Sequence, residues 1–377
     1  MNSATFVSTT LAILVASFLS GCAKTPNESS AKPDFAVIAY YLGDAQEVDK
    51  YPVEKLTHII FSFLHLQGNR LTVDNPKDDA TIKHLVALKE KHPSLKIMLS
   101  LGGWGGCETC SQVFATQQGR SEFSQSVKEL LVKYRADGLD LDWEYPAIEG
   151  YPGHAYVPED RQNFTLLVQE LRNAFGGQYE LSFAAGGYRD YLENSVEWEK
   201  VMPLVDRVNL MTYDLVNGYS KITGHHTPLG PSQYQKESTR TAVQFLDSLR
   251  IPMNKIVIGA AFYARVWENV ETENNGLYQP GTFKESVNYK DFETYFGEGD
   301  EFAEHYDPET EAYYRYSPAR KLFATFDNPE SARAKTKYAQ ANDLGGIMFW
   351  QLTGDKHANG LLDAIHETVH ADKDSAP

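Results

Sequence analysis

The chain of 377 residues is poor in cysteine and in positive charge. Only Cys22, Cys107 and Cys110 occur. No second CxxC and no nearby histidine cluster accompany "CETC" (107–110), so a metal site lacks its other half. Nor does a thioredoxin-like context surround it. A local structural disulfide between Cys107 and Cys110 is the reading that suits an exported chain. Lysine and arginine number 35 against 51 acidic residues, a formal net charge of −16. That balance argues against nucleic acid as a partner, and no basic run interleaved with aromatics appears. Long apolar runs are missing as well. The N-terminal run "LAILVASFLS" (11–20) is too short for a permanent membrane span. No GxGxxG follows the first strand-like stretch, which weakens a nucleotide-binding doubly wound sheet.

What is present begins with that short run, which has the form of a secretory h-region. "LSGC" (19–22) resembles the lipobox of bacterial lipoproteins. The resemblance implies a signal peptide over 1–21, lipidation at Cys22 and a polar tether over 22–33. Ala23, in place of an aspartate after the cysteine, points to the outer membrane. The expected localisation is therefore exported and lipid-anchored, with membrane contact through that anchor only. An ordinary cleaved signal with an incidental cysteine is the competing reading.

From residue 34 onward, short apolar runs alternate with helix-like stretches. Strands are expected at 35–41, 57–66, 95–104, 138–145, 179–187, 206–214, 255–264 and 344–350. Helices are expected at 75–93, 120–136, 158–177 and 328–343. Two of them open on Asn-Pro, a cap followed by proline at the first helical position. Eight strands alternating with helices favour a closed (β/α)8 TIM barrel over a doubly wound sheet. The seventh repeat is abnormal. About 65 residues separate its strand from its helix, far more than a loop needs. We read 267–322 as a small α+β insertion domain, with the barrel at 34–266 and 323–372. In a barrel the insertion emerges at the C-terminal face, where active sites lie.

The chemistry concentrates in "DGLDLDWEYP" (137–146). Residues two apart on a strand share a face, so Asp140, Asp142 and Glu144 project together into the barrel, Glu144 nearest the rim. Asp137 has the wrong parity and takes a local structural role. Trp143 points outward into the helix layer. Three carboxyls in one column cannot all ionise cheaply. Such a stack can share a proton between Asp140 and Asp142 and keep Glu144 protonated, as a general acid requires. A metal site and a salt-bridged structural strand are the alternatives, but no matching Asp/His set appears on other strands, and the neighbouring strands supply almost no inward-facing Arg or Lys. His58, His225 and His226 show no ligand spacing and read as structural.

This stretch resembles the DxxDxDxE pattern of glycoside hydrolase family 18, the chitinases. "SLGGW" (100–104), "MTYD" (211–214), "GAAFYAR" (259–265), "PEDRQNFTLL" (158–167) and "TGHHTPL" (223–229) are similar to other segments of that family, in order along 35–352. The inserted segment resembles its chitinase insertion domain. The resemblance implies that Glu144 donates the proton and Asp142 orients the substrate's acetamido group. Asp140 would exchange a proton with Asp142, and Tyr213 would bond the acetamido carbonyl. It implies substrate-binding roles for Tyr40, Phe63, Trp104, Tyr145, Met211, Asp214, Arg265 and Trp350. It also implies cis peptides at Ser62–Phe63, Glu144–Tyr145 and Trp350–Gln351. The implied activity is retaining, substrate-assisted hydrolysis of β-1,4 bonds between N-acetylglucosamine units. No cofactor and no metal are implied, the partners are chitin or chitooligosaccharides, and a monomer is expected. An endo-β-N-acetylglucosaminidase acting on N-glycan cores and a non-catalytic chitin-binding lectin are the rival readings.

Overall fold

The computed structural model describes Met1, residues 35–297 and residues 300–371. Apart from Met1, the expected signal peptide (1–21), Cys22 and the tether (22–33) lie outside the described residues. Eight parallel strands follow: β1 Ala36–Tyr41, β2 His58–Gln67, β3 Lys96–Gly102, β4 Gly138–Asp142, β5 Glu180–Gly186, β6 Arg207–Met211, β7 Ile256–Ala261 and β8 Gly346–Trp350. Each pairs with the next, and β8 closes on β1. The fold is a (β/α)8 TIM barrel. A short strand, Arg70–Thr72, was not foreseen; it folds back antiparallel onto β2.

Two apolar layers form because the strands alternate. Outward residues such as Leu139, Leu141 and Trp143 join the core shared with the helices. Trp143 packs at 5.4 Å from Phe114 and 6.4 Å from Phe164 by ring centroids, in the outward place its parity predicts. Inward residues, among them Ile60, Met98, Ala184 and Met348, fill the barrel. The Asn-Pro helix starts are real caps. Asn75 accepts from the N–H groups of Lys77 and Asp78, and Asn328 forms a capping box with Ser331. The helix expected over 75–93 stops at Ala87 and continues only as a 3-10 turn over Leu88–Glu90. Asp137 accepts the Ile97 N–H at 2.7 Å and pairs with Lys89, a local structural role.

A five-stranded antiparallel sheet follows β7. Its strands run in the order Thr282–Asn288, Tyr263–Glu268, Leu322–Phe326, Ala312–Ser317 and Ala303–Asp307. Trp267, Val270, Leu277, Tyr314, Tyr316 and Phe323 form its own core. The run 255–264 is thus two strands rather than one. The chain turns out of the barrel at Phe262, whose N–H bonds the Trp350 carbonyl at 2.9 Å. One continuous apolar run conceals that corner. Hence the inserted sheet includes 263–268 and 322–326, beyond the outer limits of 267–322. The described part of Asp34–Pro377 is one compact unit, so barrel and insertion share a frame. No helix among the described residues is long and apolar enough to cross a membrane.

Candidate active site

The acidic column begins inside the barrel at Asp140, which is fully buried. Register places Ser100 on β3 and Ser182 on β5 directly beside it. Four neutral donors converge on its carboxylate. Ser182 Oγ and Asn209 Nδ2 reach Oδ1 at 2.6 and 3.1 Å. Tyr40 OH and Ser100 Oγ reach Oδ2 at 3.0 and 3.1 Å. Burial pushes the Asp140 pKa up, and these hydrogen bonds oppose the rise. Ser100, Ser182 and Asn209 escaped the sequence reading. A polar residue at an inward position of an otherwise apolar strand was the available signal.

Asp142, two residues on, is equally enclosed but lacks such support. Its Oδ1 has no hydrogen-bond partner among the described residues. Burial, then the charges of Glu144 and Asp140, push its pKa well above the carboxylate range. Four donors favour the ionised form at Asp140 and none does so at Oδ1 of Asp142, so the spare proton of this pair belongs on Asp142. The backbone beside Asp142 demands glycine. Gly102 has φ +105°, and a Cβ there would stand 2.2 Å from the Asp142 carbonyl oxygen. A Cβ on Gly103 would strike the Phe63 ring at 2.3 Å. The "SLGG" run thus lets β3 close against β4 at the mouth.

Glu144 stands at the rim, partly buried. Burial pushes its carboxyl up to about 7, and the charge of Asp214 acts in the same direction. Near neutral pH it can therefore hold a proton to donate. Tyr213 lies under the same influences: burial, then Tyr263, Asp142 and Glu144, raise its phenol far above its ordinary value. Its hydroxyl stays protonated and lies 3.7 Å from Met348 Sδ, a weak acceptor. Met211 lines the same inner cluster. Asp214 behaves oppositely. Burial pushes it up, but hydrogen bonds from His226 and Arg265 and the Arg265 charge outweigh burial and hold it well below the carboxylate range. Arg265 grips it with two bonds of 2.7 and 2.6 Å, and His226 Nδ1 faces it at 3.5 Å. His225 bonds Asp307 of the inserted sheet at 3.0 Å. Both histidines are buried, in keeping with structural use.

Aromatic rings build the walls. Phe63 stacks on Trp350 at 5.5 Å, and Tyr40 lies 6.0 Å from Trp350. Tyr145 packs against Tyr188 and Tyr191. The three expected cis peptides, Ser62–Phe63, Glu144–Tyr145 and Trp350–Gln351, are all present. Trp104 is 47% exposed. It touches Tyr151 at 5.5 Å, Tyr145 at 6.3 Å and Tyr219 at 6.3 Å. Tyr219, on the loop after β6, is 60% exposed and was not singled out in the sequence. A cavity of about 560 Å³ opens beside Trp104, lined by Phe63, His65, Gly102, Glu108 and Tyr151. It adjoins the column on the β2–β3 side rather than covering Glu144. Cys107 and Cys110 are joined as a disulfide just behind this wall. Among the described residues, no group of three His, Cys, Asp or Glu is placed to hold a metal.

A barrel mouth whose buried carboxyls have raised pKa values beside a row of exposed rings has the equipment of a glycoside hydrolase. Comparison with known sequences gives the family. Residues 36–355 match glycosyl hydrolases family 18, and the chain belongs to that family. It is 33% identical over 303 residues to Chitinase A1 of Niallia circulans, covering 73% of this chain and 43% of that protein. It is 30% identical over 422 residues to Chitinase B of Serratia marcescens, covering 89% and 84%. The solved family 18 N-acetylglucosaminidase from Paenibacillus barengoltzii superposes with a TM-score of 0.80 at 32% identity, covering 89% of this chain and 100% of that one. The chain thus spans less than half the length of the Niallia relative but most of the Serratia one.

Proposed function

We propose that the protein is a retaining chitinase that hydrolyses β-1,4 bonds between N-acetylglucosamine units, using the substrate's own acetamido group as nucleophile. The observation that carries this reading is a pair of buried polar groups with no adequate protein partner. Asp142 Oδ1 has none, and the Tyr213 hydroxyl has only a thioether. Buried polar groups without a protein partner are free to bond a ligand that enters the site. An acetamido group supplies both needs: its N–H meets Asp142, and its carbonyl oxygen accepts from Tyr213. Membership of family 18 and the two named chitinase relatives support the same substrate.

The steps follow from the charges. Glu144 gives its proton to the glycosidic oxygen as the bond to the anomeric carbon breaks. The acetamido oxygen forms the new bond to that carbon, and the positive charge spreads over an oxazolinium ring. Asp142 stabilises that charge through the N–H, the proton it carries in the free protein passes toward Asp140, and it returns to Asp142 once the ring has opened. The Glu144 carboxylate then takes a proton from water, whose oxygen opens the ring from the opposite face. Two displacements leave the anomeric configuration unchanged.

The test is turnover of an aryl chitobioside by wild type and by Glu144→Gln. Near wild-type turnover by the variant would overturn the assignment. The Paenibacillus relative is named an N-acetylglucosaminidase, which favours asking whether this chain also acts from chain ends. The first products from chitohexaose decide that: monomer with its matching pentamer for release of single units from an end, a spread of dimer, trimer and tetramer for endo action. We further propose that Cys22 is lipidated and holds the enzyme at the outer membrane. Mass spectrometry of the N-terminal peptide from the native host would find a diacylglyceryl cysteine, and an unmodified cysteine would refute this.

A further inference from the structure

Away from the cleft, the described residues hold an ion pair that the proposed chemistry does not use. Lys335 lies in the helix Pro329–Ala341, and Asp327 lies where the chain leaves the inserted sheet. Their side chains are 0% and 1% exposed, and Lys335 Nζ stands 2.6 Å from Asp327 Oδ2. A wholly buried pair is weak evidence of stability, because both charges lose their water. Its connections point to a different use.

Four segments meet at this pair. Asp327 Oδ2 accepts the Ala261 N–H at the end of β7 at 2.9 Å. Oδ1 accepts the Ser331 hydroxyl at 2.7 Å. Lys335 also donates to the hydroxyl oxygen of Thr227. That hydroxyl lies 3.2 Å from the Thr212 carbonyl oxygen and 3.1 Å from Asp327 Oδ2. Thr212 directly precedes Tyr213, and its own hydroxyl bonds Gly259 on β7. Thr227 directly follows His226, which faces Asp214. Thr227 therefore ties the ion pair to both sides of the segment that carries Tyr213 and Asp214.

The Thr227 hydroxyl has one hydrogen and two acceptors in reach. Lys335 neutralises Asp327 and donates to the Thr227 oxygen, which leaves that hydrogen for the Thr212 carbonyl. Without Lys335 the unpaired carboxylate is the stronger acceptor. The hydrogen turns toward Asp327, and the Thr212 carbonyl loses its tie to Thr227 while the Thr212 hydroxyl keeps Gly259. We infer that Lys335, acting through Thr227, is a positioning residue that sets the place of the Tyr213 phenol. The inference rests on the role proposed for Tyr213.

The test uses Thr227→Val and Thr227→Ser in wild-type and Tyr213→Phe backgrounds, with kcat, KM and melting temperature measured on an aryl chitobioside. Thr227→Val keeps the Lys335–Asp327 contact and removes the hydroxyl's bonds to the Thr212 carbonyl, to Lys335 and to Asp327. It is expected to lower kcat about 10-fold or more, since small misplacements of a reacting group are costly, with KM within about 2-fold. Thr227→Ser, which keeps the hydroxyl, restores kcat. In the Tyr213→Phe background the valine substitution has no further effect, the mark of two residues acting through one another. Lys335→Met repeats the kcat loss and also lowers the melting temperature. If Tyr213→Phe is impaired and Thr227→Val is not, or if the two losses multiply, the positioning role is overturned alone. If Tyr213→Phe turns over like wild type, the role of Tyr213 falls and this inference with it.

Discussion

At the N-terminal end of the barrel, Glu180 opens β5 and is ringed by the first residues of three other strands. His58 Nε2 lies at 3.1 Å, Arg207 NH1 at 3.2 Å, and Lys96 pairs with its other oxygen. Burial pushes Glu180 up, but His58, Arg207 and Lys96 together pull it down to about 2. At the C-terminal end, Asp142 and Glu144 have no cation beside them among the described residues, and their carboxyls move the other way. One barrel thus carries a closed acid at its floor and open acids at its mouth. The floor carboxylate is fully answered by protein and can only hold strands together. Asp142 and Glu144 at the mouth are not neutralised in this way, and burial destabilises their charged forms and keeps them available to a substrate.

This contrast is broken most severely at the mouth. Glu144→Gln should lower kcat about 10³-fold, the usual scale for a lost general acid, while melting stays near wild type. Tyr213→Phe should cost about 10²-fold in kcat, as for one donor to a developing charge. The floor answers to a different measurement. Glu180→Gln should leave kcat unchanged but cost about 2 kcal/mol of stability, a figure reduced for its partial exposure. Its depressed pKa gives stability that is present above the unfolded value near 4.3 and is lost as pH falls toward about 2. The Glu144 effect has the opposite direction in pH. Its raised pKa makes the proton donor competent below about 7 and deprotonated above, so kcat/KM should fall as pH rises through that value. Acid titration should therefore weaken folding and base titration should weaken catalysis. Glu180→Gln should shrink the acid limb and leave the part due to Asp214, which is also depressed; a limb of unchanged size would place the linkage elsewhere. The smallest effect belongs to the rim: Trp104→Ala should raise KM about 5- to 10-fold with kcat within about 2-fold, because stacked area is lost and the column is untouched.

Much of the mouth was legible because strands repeat every two residues. Asp140, Asp142 and Glu144 could be placed on one face, and Trp143 on the other, without coordinates. The end of β7 was not legible, since "GAAFYA" stays apolar through the corner at Phe262. Tyr219 was missed because a loop has no period to read. Lys335 shows a deeper limit. A lysine in an amphipathic helix reads as solvated surface, and only the tertiary neighbour Asp327 reveals it as buried. The partners of Glu180 also come from strands far apart in sequence, so their convergence at the floor needed the closed barrel.

The mechanism turns on an acetamido oxygen serving where other retaining glycosidases use a carboxylate. The direct measurement is turnover of aryl chitobiosides in which the acetamido methyl of the sugar preceding the cut carries successive fluorines. Fluorine withdraws electrons from that oxygen and leaves its shape nearly unchanged. A steep fall in kcat with each fluorine is the predicted result, and a flat series would contradict the account.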